Sequence, residues 1–116
     1  MRPLSIYVHV PFCRSRCGYC GFYSGCDLSL REPYTAALVR ATETAPSADC
    51  EVQTIYFGGG TPSLLGTGLT TVLKAIRRRW QVAAVAEITS EANPNTVTPE
   101  LLLALRAAGF NRISFG

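Results

Sequence analysis

Charge is scarce in this chain, and the scarcity narrows its class. Only 16% of the 116 residues are Asp, Glu, Lys or Arg, against 47% hydrophobic residues, a balance that suits a packed core and argues against disorder. The basic residues are scattered, so there is no nucleic-acid footprint, and the formal charge of +3 favours anionic ligands only weakly. One short basic run, Arg77–Arg79, falls near a predicted helix end, where cations complement the helix dipole. Long apolar runs are missing too. The most apolar stretch, "LLLALRAAGF", is interrupted by Arg106 and is far too short to span a bilayer. No signal-peptide core opens the sequence, so a cytoplasmic setting without a membrane span is expected. There is no internal repeat beyond the strand–helix unit, and no linker or composition shift marks a second domain. Cysteine is the exception to this sparseness. Five of them make an odd number, which cannot all pair internally. Without a secretion signal, disulfides give way to metal or redox chemistry.

The hydrophobic pattern alternates between strand and helix. "SIYVHV" (Ser5–Val10), "VQTIYFG" (Val52–Gly58), "AEITSEA" (Ala86–Ala92) and "NRISFG" (Asn111–Gly116) read as strands. The first helix is predicted in "SLREPYTAALVRATETA", with Tyr34, Leu38, Ala41 and Ala45 on one face. Ser29 and Glu32 fit a capping box there, although Pro33 suits a first turn and allows a later start. The second helix repeats Leu69, Val72, Leu73, Ile76 and Trp80 at helical spacing. The third is bounded by Thr98 as cap, Pro99 at its first position and Gly109 at its end. The order β-α-β-α-β-α-β predicts an α/β fold with parallel strands joined by right-handed crossovers. A chain ending on a strand with no helix to cover it suggests a piece of a larger α/β barrel.

Side chains alternate across a strand, and the alternation divides the sheet. Ile6, Val8 and Val10 oppose Tyr7 and His9. Ile88 opposes Glu87, Thr89 and Glu91, and Ile113 with Phe115 opposes Arg112 and Ser114. The second strand is less clean. A parallel sheet buried on both sides reads as almost continuously apolar, and this one does not. Two explanations stand: a curved sheet whose concave face holds a polar ligand, or a partly exposed sheet with solvated charges. His9, the one histidine, is either a hydrogen-bonded core residue or, with Tyr7, a neighbour of the ligand.

Between the first strand and helix lies "PFCRSRCGYCGFYSGC", with Cys13, Cys17 and Cys20 within eight residues and glycines at 18, 21 and 25. Three thiolates at C-x3-C-x2-C spacing can wrap one compact metal centre. Structural zinc takes four ligands, usually two C-x2-C pairs or a Cys/His mixture. Here there is one such pair, and neither Cys26 nor His9 stands at a usual fourth position. A disulfide would orphan a third thiol. An iron–sulfur cube fits better: it normally takes four cysteines, so three leave one iron open to a ligand, and the glycines let the backbone wrap it. Cys26 and Cys50 fall outside the pattern.

The stretches "YVHVPFCRSRCGYCGF", "YFGGGTPSLL", "EITSEANPNTV" and "LRAAGFNRISFG" together resemble the radical S-adenosylmethionine (SAM) superfamily, and within it the oxygen-independent coproporphyrinogen III oxidase-like branch that includes the HemW-type heme chaperones. The resemblance covers nearly the whole chain. It implies a partial (β/α) TIM-like barrel, with residues 1–116 as the N-terminal part of a radical SAM core domain. It implies a [4Fe–4S] cluster on Cys13, Cys17 and Cys20, with SAM on the fourth iron. The methionine end of SAM would rest on Gly59, Gly60 and Thr61, and Tyr7, Tyr19 and Glu91 match the family's SAM-contacting positions. The implied chemistry is reductive cleavage of SAM to a 5′-deoxyadenosyl radical that abstracts hydrogen. Phe22 stands where the true oxidases carry a further cysteine, which favours the heme-chaperone type over coproporphyrinogen decarboxylation. Heme or porphyrin, a heme-accepting protein and an electron donor are the implied partners, with heme a further ligand. Four strands cannot close a barrel, so these residues alone are expected to hold a cluster without completing a turnover.

Overall fold

A computed structural model describes residues 1–12, 28–46 and 49–115. Four strands, β1 (Arg2–Val10), β2 (Cys50–Gly59), β3 (Gln81–Ala92) and β4 (Arg112–Phe115), alternate with three helices, α1 (Arg31–Thr44), α2 (Gly68–Arg79) and α3 (Pro99–Ala108). The strands pair in chain order, all parallel, to form one four-stranded sheet. Short 3₁₀ turns at Leu28–Leu30, Pro62–Leu65 and Pro94–Thr96 lead into the helices. The predicted element order and α/β class are those observed, and β1, β2 and β3 run longer than the patterns suggested.

One face of the sheet is packed. Val8, Val10, Val52, Ile55, Phe57 and Ile88 are buried from the strands, and Leu69, Val72, Leu73, Ile76 and Leu105 from the helices. Phe57 meets Phe110, beyond the end of α3, at 5.2 Å between ring centres. The second strand is therefore cleaner than its sequence suggested: Ile55 and Phe57 are buried, Thr54 is exposed and Tyr56 half-buried.

The three helices are held differently. α2 turns Leu69, Val72, Leu73, Ala75 and Ile76 into the core, the spacing of one helical face. α3 has the predicted ends: Thr98 Oγ1 accepts from Leu101 N–H at 3.1 Å, Pro99 opens the first turn, and Gly109 closes it at φ 120°. α1 departs from expectation. Leu30, not Ser29, takes its cap position, with no side-chain cap bond, and Pro33 lies in the first turn. The 3₁₀ turn ahead of it leads the chain straight into the helix with helical dihedrals at Leu30, and a capping side chain needs an extended residue at that point. α1 buries no residue fully. Of the predicted face, Tyr34, Leu38 and Ala45 are half-buried and Ala41 is exposed, and Val39 and Thr42 are half-buried beside them.

Candidate functional site

The register of the strands sets up the other face. Tyr7 pairs with Tyr56, Tyr56 with Thr89, and Thr89 with Arg112, a row running across the whole sheet. One step towards the carboxyl ends, His9 lies beside Gly58, and Glu91 beside Ser114. Because residues two apart share a face, these two rows build one polar surface at the carboxyl ends of parallel strands, the end where open and closed α/β sheets place their ligands. No described helix covers it, and Tyr7 is 58% exposed. Thr89 is the exception, buried on this face between Tyr56 and Arg112.

Glu91 is its organising group. Oε2 accepts from the Tyr56 hydroxyl at 2.7 Å, and Oε1 accepts from Gly59 N–H at 3.1 Å. The Tyr56 ring stacks on Tyr7 at 6.2 Å and 13° between planes. The Tyr7 hydroxyl lies 3.2 Å from His9 Nδ1. All three nearby phenols are shifted upward. For Tyr56 the hydrogen bond to the Glu91 carboxylate leads, followed by burial, with Ser114 and Arg112 pulling the other way. For Tyr7 burial leads, then the Glu91 charge; for Tyr34, burial and then Tyr7. The phenols therefore remain hydrogen-bond donors at neutral pH. Further out, Arg112 pairs with Glu87 at 3.2 Å, both more than half exposed.

The glycine turn after β2 is tied to the end of β1. Gly60 N–H donates to Val10 O at 2.8 Å and Thr61 N–H to Phe12 O at 2.6 Å. Phe12 is buried and meets Tyr34 edge-on at 5.4 Å, and the Tyr34 hydroxyl donates to His9 O. So the backbone leading to Cys13 is fixed up to its last described residue. The glycines themselves answer to this packing. A Cβ at Gly58 would stand 3.0 Å from the Tyr56 ring and 3.1 Å from both Glu91 Oε1 and the Tyr7 ring. Gly59 has φ +117°, and a Cβ there would meet Val10 O at 2.8 Å, a conformation that favours glycine strongly. The amides of Gly59, Gly60 and Thr61 all donate within the protein. What Gly59 and Gly60 offer a ligand is a strip free of side chains rather than spare N–H groups.

Beyond the turn, Ser63 is buried and bonds Thr96, which in turn donates to Asn93 O at 2.7 Å. This ties the segment after β2 to the segment after β3, fixing the two loops that flank Glu91.

The structure thus brings Tyr7, Gly59, Gly60, Thr61 and Glu91 to one end of the sheet. Cys13, Cys17, Cys20 and Tyr19 lie outside the described residues, as do Phe22 and Cys26. Among the described residues no group of three or more His, Cys, Asp or Glu is placed to hold a metal. His9 is exposed on the open face, which sets aside its reading as a core histidine. Tyr56 was missed from sequence. The signal was present, since it lies two residues before Gly58 and shares its face. A groove of about 750 Å³ between α1 and the start of α2, lined by Arg31, Thr35, Arg40, Gly66 and Thr71 among others, shares no residue with this site. No described helix is long and apolar enough to cross a membrane.

The sequence signature of the radical SAM superfamily matches residues 7–116. The chain is 44% identical to the heme chaperone HemW of Escherichia coli, over 98% of this chain and 32% of that protein. It is 43% identical to HemW of Mycobacterium tuberculosis, over 99% of this chain and 31% of that protein. Among solved structures it resembles coproporphyrinogen III oxidase (HemN) from Escherichia coli, a radical SAM enzyme, with a TM-score of 0.88, 38% identity, and coverage of 99% of this chain and 28% of that one. The chain spans about a third of the length of the curated heme chaperones it matches.

Proposed function

The chain belongs to the radical SAM superfamily, and from that premise we propose that residues 1–116 are the N-terminal part of the SAM-binding barrel of a HemW-type heme chaperone. The observation that carries this reading is the identity of 43–44% over 98–99% of the chain to two proteins of that name. Oxygen-independent coproporphyrinogen III oxidase of Escherichia coli stands at 37%. Phe22, in place of the oxidases' further cysteine, points the same way. Family membership implies a [4Fe–4S] cluster and SAM, and both belong to a thiol-preserving compartment such as the cytoplasm.

In this reading Cys13, Cys17 and Cys20 hold three irons of the cluster, and Tyr19 lies beside the adenine. When bound, cluster and SAM supply one-electron chemistry that the protein orients and shields. The described residues fit SAM. Glu91 presents a carboxylate with an acceptor position left on each oxygen, suited to the hydroxyl and ammonium donors of such a ligand. The bare backbone at Gly59 and Gly60 gives an aliphatic chain close access. Tyr7 adds an exposed aromatic edge. Heme or a porphyrin would be the cargo, with a heme-accepting protein as recipient and an electron donor feeding the cluster.

The test uses the full-length protein reconstituted without oxygen. We expect a brown product whose EPR signal changes on adding SAM, lost when Cys13, Cys17 and Cys20 are changed together to alanine, and heme that passes to an acceptor protein. A colourless product with stoichiometric zinc would overturn the metal assignment. The second reading, coproporphyrinogen III oxidase, draws on the close structural match to that enzyme. Conversion of coproporphyrinogen to protoporphyrinogen would establish it in place of the chaperone.

A further inference from the structure

We infer that Tyr56 is a positioning residue, whose hydroxyl holds the Glu91 carboxylate ready for the ligand that Glu91 receives. The inference rests on the SAM-binding reading above. Its starting point is the geometry of the carboxylate. Glu91 Oε2 takes the Tyr56 hydroxyl at 2.7 Å and Oε1 takes Gly59 N–H at 3.1 Å. Two anchors on two different oxygens stop the carboxylate from turning about its last bond. A single anchor leaves that rotation free. Fixed in this way, the carboxylate keeps one acceptor position on each oxygen, with Oε1 lying over the bare α-carbon of Gly58. That arrangement suits a ligand bringing two donors side by side, such as a vicinal diol, and it is hostile to an anion.

Tyr56 is itself held. Its ring stacks on Tyr7, and its strand position is set by pairing to β1 on one side and β3 on the other. The rigidity of a paired strand therefore reaches Glu91 through a short bond to a charged acceptor, among the stronger kinds of hydrogen bond. A side chain ordered before the ligand arrives spares the ligand that ordering cost. Phenylalanine at position 56 would keep the stack and the volume and remove only the bond.

The test combines two measurements on full-length protein. In metal-free protein, carbon-13 NMR of the tyrosine ring follows the ionisation of Tyr56, with Tyr56→Phe assigning its resonance. Glu91→Gln should bring that ionisation back towards the ordinary tyrosine range. A Tyr56 resonance that does not move shows no contact and overturns the inference whatever SAM does. In cluster-loaded protein, equilibrium dialysis measures SAM affinity for the wild type, Tyr56→Phe, Glu91→Ala and the double variant. Losing a hydrogen bond to a charged group should weaken SAM by about tenfold in the wild-type background, with unchanged iron content. In the Glu91→Ala background the same change should have no effect. Equal SAM affinity in wild type and Tyr56→Phe, or an equal loss in both backgrounds, overturns the positioning role and leaves the SAM reading intact. Wild-type protein that carries a cluster and does not bind SAM overturns both.

Discussion

On the helix-covered face of the sheet Val10, Val52 and Phe57 have no exposed surface, whereas on the opposite face Tyr7 is 58% exposed and the Arg112–Glu87 pair is exposed on both sides, at 55% and 57%. The same four strands supply both surfaces, one residue apart along the chain. On the covered face the stabilising force is non-directional burial, roughly proportional to apolar area. On the open face the contacts are directional: Tyr56 to Glu91, Gly59 N–H to Glu91, Tyr7 to His9. The difference teaches that stability and ligand recognition are carried on separate faces here, so substitutions should separate them.

The sharpest test of the covered face is Phe57→Ala. Phe57 is fully buried against Phe110, and emptying such a site costs about 3–5 kcal/mol. The intact protein should show that loss as a lower denaturant midpoint at unchanged slope. Gly59→Ala challenges the separation from the other side. Gly59 is exposed, so burial alone predicts no cost. Its φ of +117° and a Cβ 2.8 Å from Val10 O predict a loss of about 1–3 kcal/mol from backbone strain. A Gly59→Ala protein as stable as the wild type would show that this turn relaxes freely and that the open face has no stake in stability.

The covered face was the easier one to read from sequence. Burial follows from side-chain type and period, and both are local. Thr98, Pro99 and Gly109 likewise announced α3, because caps are chosen by the backbone next to them. α1 was harder. Ser29 and Glu32 carry the right spacing for a capping box, but the 3₁₀ turn at Leu28–Leu30 puts Leu30 at the cap. The candidate site was half legible. Glu91 and the glycine turn stood out by motif and alternation. The bond between Tyr56 and Glu91 joins residues 35 apart in the chain, and it exists because the pairing of β2 with β3, after its shift between Val52 and Thr54, sets Tyr56 beside Thr89. The same limit hid Asn111, whose side chain accepts from Ile88 N–H and donates to Ala86 O, both at 2.8 Å, extending the β3 ladder before β4 begins. The spacing of the thiol loop pointed to a metal centre, and Cys13, Cys17 and Cys20 lie outside the described residues.

A smaller effect is expected at the open edge. Arg112→Gln removes one partner of an exposed ion pair, and such pairs contribute about 0–1 kcal/mol. The loss should shrink further as salt is added. A cost that persists at high salt would mean that Arg112 is held by more than Glu87, and the open face would then share in the stability of the fold.

The finest distinction is in the alkaline limb of stability. The phenols of Tyr7, Tyr34 and Tyr56 are all raised in the folded protein, Tyr56 first through its bond to the Glu91 carboxylate and then through burial. A raised phenol means that, above the ordinary tyrosine value of about 10, the unfolded chain releases its protons before the folded one does. The unfolded state then binds fewer protons, and stability falls with rising pH until the folded phenols ionise as well. Below that window these groups contribute a constant amount, so the neutral range should be flat with respect to them. Tyr56→Phe should make the alkaline decline shallower, because the group that ionises unfavourably beside Glu91 is gone. Glu91→Gln should act in the same direction by removing the charge and leaving only a weaker, neutral acceptor. Phe57→Ala, on the covered face, should displace the whole stability curve downward and leave its alkaline slope unchanged. If Phe57→Ala flattened that slope as much as Tyr56→Phe did, the two faces would be one cooperative unit, with the phenols reporting core packing rather than their own contacts.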